Sequence, residues 1–132
     1  MTQDEFNTFC ATLPHTFHVV QWGGADVWKV GVAGKNTNKV FVIGGWNKGS
    51  DEFAASFKCG EIAFEFLRDS PGCRPAPYLA SRGMKWIQRL TDEGVTDVDL
   101  KNYLRESHRL ASLNLTKKLQ KQLGLNQEKP HE

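Results

Sequence analysis

The stretch from Phe17 to Cys59 constrains the fold most. Runs rich in β-branched and aromatic residues at 17–22, 26–33, 39–44 and 52–59 alternate with links at 23–24, 34–38 and 47–51 that are rich in Gly, Asn and Lys. Runs of this length suit strands, and links of this composition suit the turn and left-handed conformations of hairpins. Four sequential strands in a largely antiparallel meander are expected. A meander needs an apolar cover, and the flanking sequence supplies it. Thr2 and Glu5 have capping-box spacing, and Phe6, Phe9, Cys10 and Leu13 then recur at i, i+3, i+4 and i+7, which predicts a first helix stopped by Pro14. Residues 60–69 predict a second helix with Ile62, Ala63, Phe66 and Leu67 inward, ended by Pro71-Gly72. Residues 73–83 hold two prolines and little periodicity, and 84–90 predict a last strand. Thr96 or Asp97 caps a third helix with Leu100, Tyr103, Leu104, Ser107 and Ala111 on one face, and 116–123 predict a short basic helix. This order implies an α+β fold: an antiparallel sheet with helices packed on one face and the other face open to solvent.

The chain has 132 residues, which predicts one domain over 1–125 with a polar end, 126–132, that frays. Hydrophobic residues at 39% and charged residues at 24% exclude a wholly disordered chain, and a net charge of +2 provides no overall field to draw it to nucleic acid or membrane. Any electrostatic partner must be recognised by local clusters. Acids near the start, where a secretory signal needs bases and then an apolar run, predict a soluble, cytoplasmic protein. Its three cysteines lack Cys-x-x-Cys spacing, so neither a disulfide framework nor a zinc ribbon is expected. In that compartment the acceptor pattern Asn114-Leu115-Thr116 carries no meaning.

Catalytic patterns fail in turn. Gly31-Val32-Ala33-Gly34-Lys35 has Lys29 where a phosphate loop needs its first glycine and Asn36 where it needs Ser or Thr, so it reads as a hairpin turn. The four histidines form no His-Glu-x-x-His pair, and no Gly-x-Ser-x-Gly elbow occurs. Cys59 reads as a buried structural thiol, and Asp92 and Glu93 are loop neighbours, not a converging acid and base. No catalytic residue, metal site or cofactor is expected, and enzymatic activity is not predicted.

Basic residues are the remaining signal. Lys29, Lys58 and Lys85 each alternate with large apolar neighbours, so if those neighbours face the helices the three lysines share the open face. Trp28 and Trp86 are then expected in the core. Trp28-Lys29-Val30 followed by Gly34-Lys35 and Val40-Phe41, Phe57-Lys58-Cys59, Leu67-Arg68 leading to Pro71-Gly72, Pro75-Ala76-Pro77-Tyr78-Leu79, Lys85-Trp86, Glu106-Ser107-His108-Arg109-Leu110 and Lys117-Lys118 occur in order. In this the chain resembles the MmcQ/YjbR family of small bacterial proteins. The resemblance implies a frataxin-like (CyaY-like), double-wing α+β fold and a DNA-binding role. His108 stands where the family often carries Tyr, and Asn36-Thr37-Asn38 lengthens the first wing. Under that reading Lys29, Lys35, Lys58, Arg74, Arg82, Lys85, Lys117 and Lys118 are the DNA-binding candidates. Lys39, Lys121, Arg89, Trp22 and Trp46 stand beside them, and duplex phosphates are the expected contacts. The alternative partner is a protein, met by a sheet edge or the loop from Pro75 to Leu79, although that loop is expected to pack Tyr78 on the sheet. Iron binding is disfavoured, because the first helix offers only Asp4 and Glu5.

Overall fold

A computed structural model describes residues 1–47 and 53–127. The expected start of the fourth strand at Glu52, most of the link before it and the end of the tail lie outside the described residues. The elements are α1 (Gln3–Ala11), β1 (Thr16–Gln21), β2 (Ala25–Gly31), β3 (Asn38–Gly44), β4 (Ala55–Lys58), α2 (Glu61–Leu67), β5 (Cys73–Pro75), a 3-10 turn (Ala80–Arg82), β6 (Trp86–Arg89), α3 (Asp97–Ser112) and α4 (Lys117–Leu123). The strands form one antiparallel sheet in the order β1-β2-β3-β4-β6-β5. The α+β fold class therefore holds.

Local chemistry sets the helix starts. Thr2 Oγ1 accepts the Glu5 N–H while Glu5 Oε1 accepts the Thr2 N–H, the reciprocal capping box expected for α1. Thr96 and Thr116 cap α3 and α4 one way only, their hydroxyls accepting the Asp99 and Leu119 N–H groups. The Phe6 ring of α1 lies on Gly44, where a Cβ would stand 2.7 Å from a ring carbon, so only glycine admits it.

The register decides which side chains meet the helices. Phe57 lies opposite Val42 and Ile87, on the side where Phe6 and Cys10 of α1, Phe64 and Leu67 of α2, and Leu100 and Leu104 of α3 close the main core. Burying side chains of this size contributes about 1.5–3 kcal/mol each. Between Trp28 and Lys29 the register shifts, Phe41 is the extra residue, and both Phe41 and Val42 enter this core. The far face is not bare. Ala25, Val27, Ile43 and Trp86 cluster there, and Ala76 and Leu79 fold over them.

β4 pairs with β3 only from Val42 to Gly44. Where the two strands part, α3 inserts Ser107: its Oγ donates to the Phe41 carbonyl at 2.5 Å and accepts the Lys58 N–H at 2.8 Å. One turn face further on, His108 Nε2 donates to the Pro14 carbonyl at 2.7 Å, and its ring meets Phe41 edge-on. Burial lowers its pKa, against the Pro14 hydrogen bond, so it stays neutral and ties α3 to the α1–β1 turn.

Three local expectations change. In α2, Phe64 and Leu67 are buried while Ile62 and Phe66 are 88% and 69% exposed. With less than two turns and two competing apolar stripes, the helix takes its phase from where β4 delivers the chain. Residues 73–75 form a strand, short enough to accept Pro75 at the sheet margin. Tyr78 is not packed on the sheet but 69% exposed.

Candidate nucleic-acid interface

The far face of the sheet gathers the site. Lys29 of β2, Lys58 of β4 and Arg74 of β5 take register positions on that side, opposite Val40, Trp86 and Gln88 respectively. Asp26 is the only carboxylate in a described strand, and it points to the helix side. There it accepts from Gln3 Nε2 and from His18 Nε2, and although burial opposes it, these hydrogen bonds hold its carboxyl below the ordinary range. The far face thus carries strand cations and no strand anion.

Three aromatic residues border the same face, each with its backbone in the left-handed region: Trp22 at φ 50°, Trp46 at φ 64° and Tyr78 at φ 68°. Bulky residues rarely adopt such angles, which cost on the order of 1–3 kcal/mol and persist where surrounding structure enforces them. The enforcement is visible. The Trp22 and Trp46 rings stand 5.6 Å apart, Trp46 Nε1 donates to the Trp22 carbonyl at 3.3 Å, and Tyr78 meets Trp46 edge-on at 6.2 Å. Buried Gln88 donates to the Trp46 carbonyl at 3.2 Å and accepts Arg74 Nε at 2.8 Å, which couples the guanidinium to the trio. Trp22, Trp46, Tyr78 and Arg74 line a groove of about 750 Å³. Trp22 is 53% exposed, so its ring, like that of Tyr78, is presented to solvent.

The sequence candidates divide. Lys29, Lys58 and Arg74 share this face without meeting: Arg74 lines the aromatic groove, Lys58 lines a second, smaller groove with Lys39 and Trp86, and Lys29 lies across the sheet on β2, while exposed Arg82 lies in the segment folded over the face. Lys35 tips the β2–β3 turn, at the other end of β2 from Trp22 and roughly 20 Å away at about 3.3 Å per residue. Lys85 does not share the open face. Trp86 pairs with Lys58 and turns to the far face, so alternation sends Lys85 toward α2, where its Nζ stands 4.9 Å over the Phe64 ring. Lys117, Lys118 and Lys121 sit on α4, whose Leu119 and Leu123 pack on the main core, so they form a separate basic surface. Arg89 is buried, donating to the Val95 carbonyl and to Asp97, and is structural.

Nothing in the strand periodicity marks Trp22, Trp46 and Tyr78 as a set. Their sequence signal is different: each is an aromatic residue at a turn, in Trp22-Gly23-Gly24, Gly45-Trp46 and Pro77-Tyr78. The thiols are poor nucleophiles. Burial pushes Cys59 up to about 11 and raises Cys10 and Cys73 as well. Among the described residues no three His, Cys, Asp or Glu side chains gather as a metal would need, and no helix is long and apolar enough to cross a membrane.

This architecture defines a class: a small α+β domain whose helices cover one face of an antiparallel sheet, with strand cations and turn aromatics on the other. The chain belongs to the YjbR family, whose model matches residues 11–110. It is similar to the crystal structure of the Deinococcus radiodurans protein DR2400, a DUF419 domain, with a TM-score of 0.76 and 25% identity over 98% of this chain and 96% of that one. A Pseudomonas syringae protein shares the fold at a TM-score of 0.64 and 16% identity, over 84% of this chain and 99% of its own. No curated protein matches the sequence.

Proposed function

We propose that this YjbR-family protein is a binding protein without enzymatic activity, and that its partner is DNA held against the far face of the sheet. One observation carries the reading: the strands there present Lys29, Lys58 and Arg74 with no carboxylate, beside the exposed rings of Trp22 and Tyr78. Cations neutralise phosphates and release counterions, and exposed rings stack on unpaired bases. Exposed rings suit a single strand better than a closed duplex, so the proposal extends the expected phosphate contacts to unpaired bases. No α-helix among the described residues lies on this face to enter the major groove, and weak sequence preference is expected.

The test is a salt titration by fluorescence anisotropy with a labelled oligothymidine and a duplex of equal length. About three phosphates, at roughly 0.7 per phosphate on a single strand, give a log–log slope near 2. Lys58→Gln with Arg74→Gln lowers the slope by about 1.4. Trp22→Ala weakens the single strand by roughly 5- to 150-fold, the equivalent of about 1–3 kcal/mol for one stacked base. Absence of binding to either probe at low salt sinks the proposal.

A second reading rests on Ile62 and Phe66, which stand exposed four residues apart on α2 and suit a protein partner or second copy. Self-association in sedimentation velocity that Ile62→Glu abolishes, in a protein that ignores both DNA probes, favours it.

A further inference from the structure

The fork between β3 and β4 forms a groove of about 290 Å³ that runs from the far face to the end of α3, just under the range for small-ligand sites. Its walls are mainly apolar, with Val40, Ile43 and Leu79 around the Trp86 ring, and Ala111 and Asn114 at the end of α3 close one side. Two charges line it, Lys39 and Lys58, and no acid does. Trp86 is 4% exposed, and its buried Nε1–H has no acceptor. A buried donor left unpaired is unfavourable, and native structures rarely retain one without a reason.

We propose that this groove binds a small monocarboxylate with a flat apolar body of one or two rings. The body lies along Ile43 and Leu79, a small side-chain shift in the wall uncovers the sealed Trp86 N–H for one carboxylate oxygen, and Lys39 and Lys58 balance the charge. Each part of the ligand answers a feature of the site. A neutral hydrocarbon leaves the indole N–H unpaired, a cation is repelled by both lysines, and a phosphate asks for more buried donors than the one present. Lysine stems can follow apolar walls while their ammonium groups stay at the wet rim. The groove shares Lys58 and the edge of Trp22 with the proposed DNA face, but Trp86 and Lys39 belong to it alone, so naphthoate binding and oligothymidine binding can fail independently.

The experiment titrates 2-naphthoate into the ¹⁵N-labelled protein and follows the four tryptophan indole resonances, with Trp86 assigned through Trp86→Phe. The expected result is a saturable downfield movement of the Trp86 indole proton with Kd below about 1 mM. The uncharged 2-naphthamide binds about tenfold or more weakly. Lys39→Gln with Lys58→Gln weakens naphthoate about tenfold and leaves the unliganded spectrum folded. Asn114→Trp, at an exposed position on the rim, fills the mouth and abolishes binding without a loss of fold. The proposal is overturned by a folded wild type whose Trp86 resonance does not move at millimolar naphthoate, by equal binding of the amide, or by binding that survives both variants. Were the lysines present only to meet the carbonyl end of α3, the double variant would melt lower and no probe would bind, which also overturns it.

Discussion

Ser107→Ala should be among the more damaging one-atom changes in this protein. The hydroxyl is fully buried and serves two backbone groups at once, the Phe41 carbonyl and the Lys58 N–H, at the point where β3 and β4 part. Its removal leaves both without a partner. An unsatisfied buried group costs about 1–3 kcal/mol. Phe41 is fully buried and Lys58 only half-buried, so the sum is about 2–4 kcal/mol. At roughly 3–4 °C per kcal/mol for a domain of this size, Tm falls by about 10 °C. Urea unfolding followed by tryptophan fluorescence measures it: the midpoint should drop with the slope m unchanged, because the loss lies in the folded state. Thr12→Ala is the control, removing a hydroxyl that also donates to a backbone carbonyl, but at an exposed helix end, and it should cost under about 1 kcal/mol. A loss at Ser107 no larger than at Thr12 would refute the argument, because it would mean that water enters the fork and satisfies the freed groups.

Three other outcomes are expected. Asp97 is held below the ordinary carboxylate range first by the Arg89 hydrogen bond and then by the Met1 ammonium; its folded pKa is thus depressed, and its stabilisation is present above about pH 4 and lost as pH falls through the folded value. Asp97→Asn should therefore lower Tm at pH 7, and the gap from wild type should narrow toward pH 2; a constant gap in a series of melts contradicts this. Tyr78→Gly relieves a left-handed backbone at the expense of an exposed ring, so thermal melts should show it unchanged or more stable by up to about 1 kcal/mol while anisotropy shows weaker oligothymidine binding. In α2, Phe64→Ala should cost about 3–4 kcal/mol and Ile62→Glu less than about 0.5 kcal/mol in urea titrations, and the reverse order would restore the helix phase expected of the sequence.

The elements whose signal is local were legible in the sequence. α1, α3 and α4 start at Thr2, Thr96 and Thr116 because a hydroxyl three residues before an N–H is a short-range device that needs no tertiary context. Hairpins at Gly23-Gly24 and around Gly34 are local for the same reason. What a sequence does not state is parity. Lys58 and Lys85 both alternate with aromatic neighbours, yet Phe57 faces the helices and Trp86 faces away, and only cross-strand pairing decides this. The candidate site inherits the difficulty. Its cations lie on three strands and its rings on three separate turns, brought together by a sheet order in which β6 sits between β4 and β5. Arg89 illustrates the converse, a cation whose charge is spent on Val95 and Asp97 and which composition cannot distinguish from an exposed one.

The two margins of the sheet are unlike, and the difference sets how copies could join. β1 ends the sheet on one side with six residues and no proline; β5 ends it on the other with three residues closing on Pro75. A proline margin lacks a donor and resists extension, whereas a long regular margin offers a row of unpaired amides and carbonyls. Strand pairing between copies of this chain would then use β1 against β1. Such a contact is self-complementary and consumes the single receptive margin of each partner, so growth stops at a closed pair instead of continuing into a fibre.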